Sequence, residues 1–570
     1  MHTSLSSRFG GVGQLTATLG LGLLIAQSIT VCTSAQTAAE TGATASEAGG
    51  RGRILLVLPF DNRSGQPSLE WIREASAEIL SSRLASAGFA PMSRADRMYA
   101  LDHLGLPQGF QPSLASSLKL AETLDADSII VGSYLTDGAG IVAEARLVDV
   151  PHLRMGQPVT ARGEMRAMIP VFNSLAWKLT RQLDPGFKGS EDTFVTAGSG
   201  VNLAAFEQYI RGITEPDQAE RLRHLNQAVG LSPQLSEAWM ALGREDYASQ
   251  QYEQAAQAFA RVGSNGAEAD DVLEAGFFRG LSLLFSGDYA RAEEAFAGVA
   301  RVLPLAQVLN NQGVALARDG KDGIPLFLQA MAADPNGADY HFNLAVSLKR
   351  RGDQAAALSE LGQCLKLRPN DSEAEALQKA WTEPPAAKPT TGSGEAGKVG
   401  VVASLQGESV AKADPLERIE RGFDAAAFRQ AALMLDQVGA SRLAALSPAE
   451  RAKKLSVQAK DYLDRGLLLE AERLYQAAVT ANPKTAAAHA GLAEVRERTG
   501  DTEAARKEAV ASLELMPSVD AYLVLVRLDL AANRLNEAQQ NVAAALQINP
   551  QSKVALELRR QIGAKGGLKK

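Results

Sequence analysis

The sequence predicts a small α/β domain near the amino terminus, followed by an all-α region arranged as two arrays of paired helices. Three observations predict it. Over residues 53–190 short continuous apolar runs alternate with amphipathic stretches; beyond residue 200 prolines recur at a fixed spacing; and a Pro- and Gly-rich stretch at 383–412 splits that second region in two. The 570 residues are 46% hydrophobic but only 5% aromatic, which favours closely packed small helices over a large aromatic-lined pocket. At roughly 150 residues per domain the chain holds three or four folding units. A formal charge of −7 argues against a general nucleic-acid binder, a role that depends on clustered Lys and Arg.

Residues 1–35 predict a secretory signal. Arg8 gives a positive start, Leu15 to Val31 is mostly apolar, and Thr33-Ser34-Ala35 supplies small residues before Gln36. Residues 36–52, rich in Ala, Thr, Glu and Gly, read as a flexible leader. The expectation is export to the periplasm or cell envelope; the alternative is an uncleaved segment anchoring the chain in the inner membrane. Of the two cysteines, Cys32 falls in the signal, so the processed chain keeps Cys364 alone and forms no internal disulfide. The six histidines are scattered without an HExxH pair, and no metal or cofactor is expected.

The α/β domain is assigned to 53–190. Ile54-Leu55-Leu56-Val57-Leu58 reads as a buried strand ended by Pro59 and a turn-rich run through Gly65. Ser68 is positioned to cap a helix carrying Ile72, Ala75, Ile79 and Leu84, with Gly88 as its stop. A second helix carries Leu114, Leu118, Ala121 and Leu124. Ser128 to Gly132 is another strand, Asp137-Gly138 signals a hairpin, and a further strand near Val159 to Met165 precedes a closing helix from about Val171 to Leu183.

The stretches Val57-Leu58-Pro59-Phe60-Asp61-Asn62-Arg63-Ser64-Gly65, Ala126-Asp127-Ser128-Ile129-Ile130-Val131-Gly132-Ser133 and Leu147-Val148-Asp149 come in the order seen in TolB amino-terminal-like domains, which this part of the chain resembles over about 53–185. The resemblance implies a domain used for protein contacts, not catalysis, and one often coupled to helical repeats.

Pro335 and Pro369 are 34 residues apart, as are Pro483 and Pro517, and Pro550 follows 33 later. Between these marks the same residue types return: Trp239, Leu242, Gly243, Ala255 and Phe259; Gly280, Leu283, Gly287-Asp288, Ala292 and Phe296; Leu344, Ala345, Gly352-Asp353, Ala357 and Leu361. The later set gives Tyr462, Ala471, Tyr475 and Ala478, then Leu492, Ala493, Gly500-Asp501 and Ala505, then Tyr522, Leu525, Ala538 and Ala545. This pattern is similar to the tetratricopeptide repeat. The chemistry of each type fits paired helices. Small residues let two helices approach to about 8–10 Å, and large ones fill the space beside them. Gly takes the positive φ that ends the first helix, the following Asp caps the second, and proline stops the pair. One array is placed at 202–380, a disordered linker at 383–412, and a second array at 413–563. Residues 413–451 are expected to be helical cap segments, with Ser447-x-x-Glu450 as a capping box.

Chemical motifs are sparse. Gly392 to Lys398 imitates a phosphate-binding loop, yet Val399 stands where a hydroxyl residue should hold Mg²⁺, and no strand precedes it. His341 and His489 share the repeat position of Trp239, so helix packing accounts for them, and Cys364 sits at the small-residue position of Ala478. The expected function is therefore a non-catalytic scaffold or adaptor of the cell envelope, binding peptides or helical segments of other proteins in the concave groove of the repeats. The competing readings are a regulatory subunit working with a separate kinase or cyclase, and, third, a nucleotide-binding enzyme. The resemblance to tetratricopeptide repeats implies that Asn311 and Asn343 hydrogen-bond a bound backbone; Lys349 and Arg350, on the last turn of the same helix as Asn343, would attract an acidic segment.

Overall fold

The computed structural model describes residues 53–107, 109–197, 200–263, 269–382, 415–423 and 425–567. The expected signal and leader (1–52), the linker (383–412) and its glycine-rich loop at 392–398 lie outside the described residues.

The amino-terminal domain is a mixed sheet flanked by helices. Its elements are β1 (Ile54–Val57), β2 (Asp61–Asn62), α1 (Ile72–Ser86), β3 (Ala90–Pro91), α2 (Arg94–His103), α3 (Leu114–Thr123), β4 (Ser128–Asp137), β5 (Gly140–Asp149), β6 (Arg154–Met155), β7 (Val159–Glu164) and α4 (Met168–Leu183). The strand order is β3-β1-β4-β5-β6, with β2 also on β4 and β7 also on β5. β1 runs parallel to β3 and β4, pairing Leu56 with Ile129, and its Leu55, Leu56 and Val57 are fully buried, as an apolar run between two helical layers requires. β4 and β5 form the antiparallel hairpin, turning at Gly138 with φ +60°. Ser68 does not cap α1; it lies in a short 3₁₀ turn, Pro67–Leu69, because the proline starts its own turn before the helix begins at Ile72.

Helices follow without further strands among the described residues: α5 (Glu191–Thr196), α6 (Leu203–Thr214), α7 (Gln218–Leu231), α8 (Ser236–Ala248), α9 (Tyr252–Phe259), α10 (Ala269–Ser286), α11 (Tyr289–Ala300), α12 (Ala306–Arg318), α13 (Ile324–Ala333), α14 (Ala338–Arg350), α15 (Gln354–Leu367) and α16 (Ser372–Thr382). Beyond the linker come α17 (Ala425–Ala444), α18 (Pro448–Asp464), α19 (Leu468–Ala481), α20 (Ala486–Arg498), α21 (Thr502–Leu515), α22 (Val519–Ala531), α23 (Leu535–Ile548) and α24 (Lys553–Gly567). None of these helices is long and apolar enough to cross a membrane. α17 to α24 and the α/β domain belong to one compact unit, apart from the first residues of α17; residues 246–260 and 273–429 form a second.

The hairpins repeat one local solution. Gly352 has φ +92° at the end of α14, and the Asp353 carboxylate accepts the Ala356 backbone N–H to start α15. Gly287-Asp288 and Gly500-Asp501 do the same. Ser447 and Glu450 form the reciprocal capping box at α18. Between helices, Gly280 faces Phe296: a Cβ there would sit 2.7 Å from the ring. In the unit holding the α/β domain, the loop before α5 meets α19. The Ser190 N–H donates to the Glu472 carboxylate at 3.4 Å, Gln476 donates to the Lys188 carbonyl at 3.1 Å, and Glu472 also pairs with Arg496 at 2.5 Å.

One pair of substitutions separates contact from backbone strain. Gly280→Leu is expected to cost about 1–3 kcal/mol by overpacking against Phe296. Gly352→Ala, whose Cβ would meet nothing within 4 Å, is expected to cost about 1–2 kcal/mol through its left-handed backbone alone. Urea unfolding followed by circular dichroism reads both, and an unmoved Gly280→Leu transition would mean that α10 and α11 do not approach closely.

A second expectation concerns pH. Burial first, and the neighbouring Glu74 second, push the Glu78 carboxyl from its ordinary 4.5 up to about 7; the Tyr209 hydroxyl donates to it at 3.3 Å. Because the folded-state value is the higher, its stabilising contribution is present below about pH 4.5 and lost as pH rises through about 7. Glu78→Gln should flatten the melting temperature between about pH 5 and 8 and melt higher than the natural chain above pH 7. A variant that loses stability as steeply as the natural chain would clear Glu78 of this role.

Candidate peptide-binding groove

In the unit of residues 246–260 and 273–429, α10 (from Leu273 on), α12 and α14 are the first helices of consecutive hairpins. One inner position recurs on them as Phe278, Asn311 and Asn343, and the residue before it as Phe277, Asn310 and Phe342. Asn310, Asn311 and Asn343 are completely buried. A buried amide without partners is costly, so these three must be satisfied.

Their partner is a segment of the same chain. Residues 415–423, Pro-Leu-Glu-Arg-Ile-Glu-Arg-Gly-Phe, run along this face as neither helix nor strand. The expected helix over 413–451 begins only at Ala425, and 415–423 belong with the first array, not the second. The physical reason is backbone satisfaction: the N–H and C=O groups of Arg418 and Glu420 and the carbonyls of Pro415 and Glu417 are taken by side chains of the groove, bonds that a helix here would forfeit.

The Asn343 amide donates to the Arg418 carbonyl at 2.8 Å and its oxygen accepts the Arg418 N–H at 2.6 Å. One repeat earlier, Asn311 donates to the Glu420 carbonyl at 2.8 Å and accepts the Glu420 N–H at 2.9 Å. Asn310 bridges the two, accepting from Asn343 at 2.8 Å and donating to the Arg418 carbonyl at 3.2 Å. Arg318 donates to the Glu417 carbonyl at 2.6 Å, and Arg350 donates to the Pro415 carbonyl at 2.7 Å while pairing with the Glu417 carboxylate.

The Arg418 side chain has its own pocket. Its guanidinium lies 3.6 Å from the centre of the Phe342 ring and pairs with Asp371 at 2.5 Å, Asp339 at 2.9 Å and Glu373 at 2.9 Å. Three carboxylates and a ring face around one guanidinium form a built cation site. At the other end Arg421 lies over Phe285 at 4.9 Å, and Phe423 packs against Phe277 and Phe278, both at 5.5 Å between centroids. The hydrogen bond from Arg418 holds the Asp371 carboxyl down at about 2. Burial pushes the Glu417 carboxyl up, against the pull of Arg350 and Arg318.

Of the residues singled out in the sequence, Asn311, Asn343 and Arg350 converge on the strap. Lys349 does not. About 100° around the helix from Arg350, it donates to Gln354 at 2.8 Å and lies 5.5 Å from the Trp381 ring centre. Asn310, Arg318, Asp339 and Asp371 escaped the sequence reading, although the Asn310-Asn311 doublet on an otherwise apolar helix face was a visible signal. His341 and His489 pair through Nδ1 with Glu360 and Glu508 at 2.7 and 2.6 Å, each bridging the two helices of its hairpin. Cys364 is buried, and that burial first, Asp371 second, raises its thiol to about 11.

Asp371→Asn should loosen the strap. A charge-assisted hydrogen bond contributes about 1.5–3 kcal/mol, so tryptic cleavage after Arg418 is expected to rise roughly ten- to hundredfold. Since the folded-state value of Asp371 lies below its ordinary 3.8, its contribution is present above about pH 4 and lost only as pH falls through about 2. Cleavage at an unchanged rate would show that the Arg418 pocket does not hold the segment.

Comparison with known proteins adds a family. The tetratricopeptide repeat model matches residues 279–322, 317–372 and 457–518. No curated protein matches the sequence. Similar solved structures include YrrB, titled a TPR protein with an unusual peptide-binding site, at 18% identity and TM-score 0.28, over 31% of this chain and 90% of that one. Another is MamA from Desulfovibrio magneticus RS-1, at 22% identity and TM-score 0.27, over 30% of this chain and 100% of that one. The P58(IPK) TPR domain aligns at 14% identity and TM-score 0.19, over 66% of this chain and 91% of that one. The 33- to 34-residue hairpins, their glycine-aspartate turns and the family match agree: this chain carries tetratricopeptide repeats over residues 279–372 and 457–518.

Proposed function

We propose that the protein is a non-catalytic scaffold of the bacterial cell envelope whose first repeat array grips extended segments of partner polypeptides. Tetratricopeptide hairpins stack into interaction scaffolds, and the groove of this one carries the equipment for backbone recognition. The observation that carries the reading is the pair of asparagines, Asn343 and Asn311, each taking both the N–H and the C=O of one residue, Arg418 and Glu420. Such an amide does for an extended chain what a neighbouring β-strand does: it binds main chain regardless of side-chain identity, while flanking pockets select sequence. The signal-like segment ahead of residue 36 supports export, and the TolB-like character of 53–185 supports a second protein contact made by the α/β domain.

The test is a crosslinked pull-down from the envelope fraction with the full chain and with Asn311→Ala/Asn343→Ala. A defined subset of partners should be lost from the variant. Identical partner sets would remove the case for groove recognition, and recovery of the chain from the cytoplasm with an intact amino terminus would remove the envelope assignment.

A further inference from the structure

The groove is already occupied, and its occupant is a description of what the groove reads. The strap crosses three consecutive first helices in reverse chain order: Arg418 at Asn343 of α14, Glu420 at Asn311 of α12, and Phe423 at Phe278 of α10. Two of these stations are pockets for side chains. The first combines Phe342 with Asp339, Asp371 and Glu373, a cage that accepts a planar cation and rejects an acid. The second is apolar and aromatic, built from Phe277 and Phe278. Beside the first, Arg350 and Arg318 converge on Glu417 and take an acidic residue immediately before the arginine.

Resting on the peptide-groove reading above, we propose that the partner is an extended segment of another protein bearing an acidic residue followed by arginine, with an aromatic residue five positions after the arginine, and that residues 415–423 are a tethered copy of it that must leave before the partner binds. The observations favour exchange over permanent fixation. Phe423 apart, the strap contributes polar and charged contacts, with Arg421 and Gly422 exposed, and 32 residues lie between Thr382 and Pro415. Being part of the same chain presents the copy at an effective concentration on the order of 1 mM. A free peptide of about 10 μM affinity would then be held off by roughly a hundredfold, enough to silence the groove without locking it.

The experiment uses the full chain, its Arg418→Ala/Phe423→Ala variant, and two fluorescent synthetic peptides: the sequence of residues 415–423, and the same peptide with both its arginine at the 418 position and its phenylalanine replaced by alanine. Binding is read by fluorescence anisotropy. The variant chain, whose groove walls are untouched, should bind the first peptide at least tenfold more tightly than the natural chain does, and the second peptide at least tenfold more weakly than the first. Equal binding by the two chains would overturn the tethered copy. Equal binding of the two peptides would overturn the arginine-aromatic reading while leaving backbone recognition standing. Failure of the groove reading itself has a separate signature: adding Asn311→Ala and Asn343→Ala to the variant would then leave peptide affinity unchanged. Should Arg418→Ala/Phe423→Ala fold poorly by circular dichroism, Asp371→Asn supplies the receptor-side arm, with a tenfold loss of selectivity between the two peptides expected and unaltered selectivity contrary. A concentration-dependent doubling of mass in the natural chain, abolished by Arg418→Ala/Phe423→Ala, would replace the foreign partner with a second copy exchanging straps.

Discussion

The structure of the first array depends on how closely the two helices of each pair can approach. Gly280 against Phe296, and Gly313 against Phe327, allow approaches that a single Cβ would block, since it would meet either ring at 2.7 Å. Asn311 and Asn343 engage Glu420 and Arg418, two residues apart in an extended chain, a span of about 6.6–6.8 Å. The asparagines address alternate residues of one segment because α12 and α14, the first helices of neighbouring pairs, stand side by side. A wider stack would leave the two amides out of step with any extended backbone.

The energetic character of the groove follows from burial. Three fully buried asparagines and a fully buried Glu417 side chain would be destabilising in isolation, and each is compensated by a partner on the opposite side of the interface. Removing one side of such an interface strands the other, so strap and groove are mutually dependent in a way that apolar surfaces are not. The second array differs at the equivalent position. Its residue there is Gly491, whose missing side chain is filled by the Tyr475 ring, so this helix offers no amide to a bound chain. The two arrays share a scaffold and not a recognition chemistry.

Much of this was legible in the sequence because the repeat imposes its requirements locally. Gly352-Asp353 and Gly500-Asp501 announce their turns through one residue that tolerates positive φ and one that caps the next helix, and both needs are visible in a short window. Asn311 and Asn343 were legible for the same reason: a repeat position is a structural coordinate. The strap was not. Residues 415–423 carry no periodic pattern of their own, and their conformation is set by Asn310, Asn311, Asn343, Arg318 and Arg350, 65 to 109 residues away in sequence. Asp371 was hidden similarly, since after Pro369-Asn370 it reads as turn chemistry, and only the fold brings it to Arg418.

The contact between the loop preceding α5 and α19 bears on how the molecule assembles. Ser190 and Glu472 are separated by 282 residues, so the buried Glu472 carboxylate meets its backbone donor only after the chain has been made past α19. During synthesis the α/β domain is complete long before α19 emerges, and the loop ahead of α5 must wait, polar groups hydrated, for its acceptor. Closing so long a loop is a late and slow event. The hairpin of α18 and α19 is thus the piece of the second array whose final packing waits on a loop 282 residues before it.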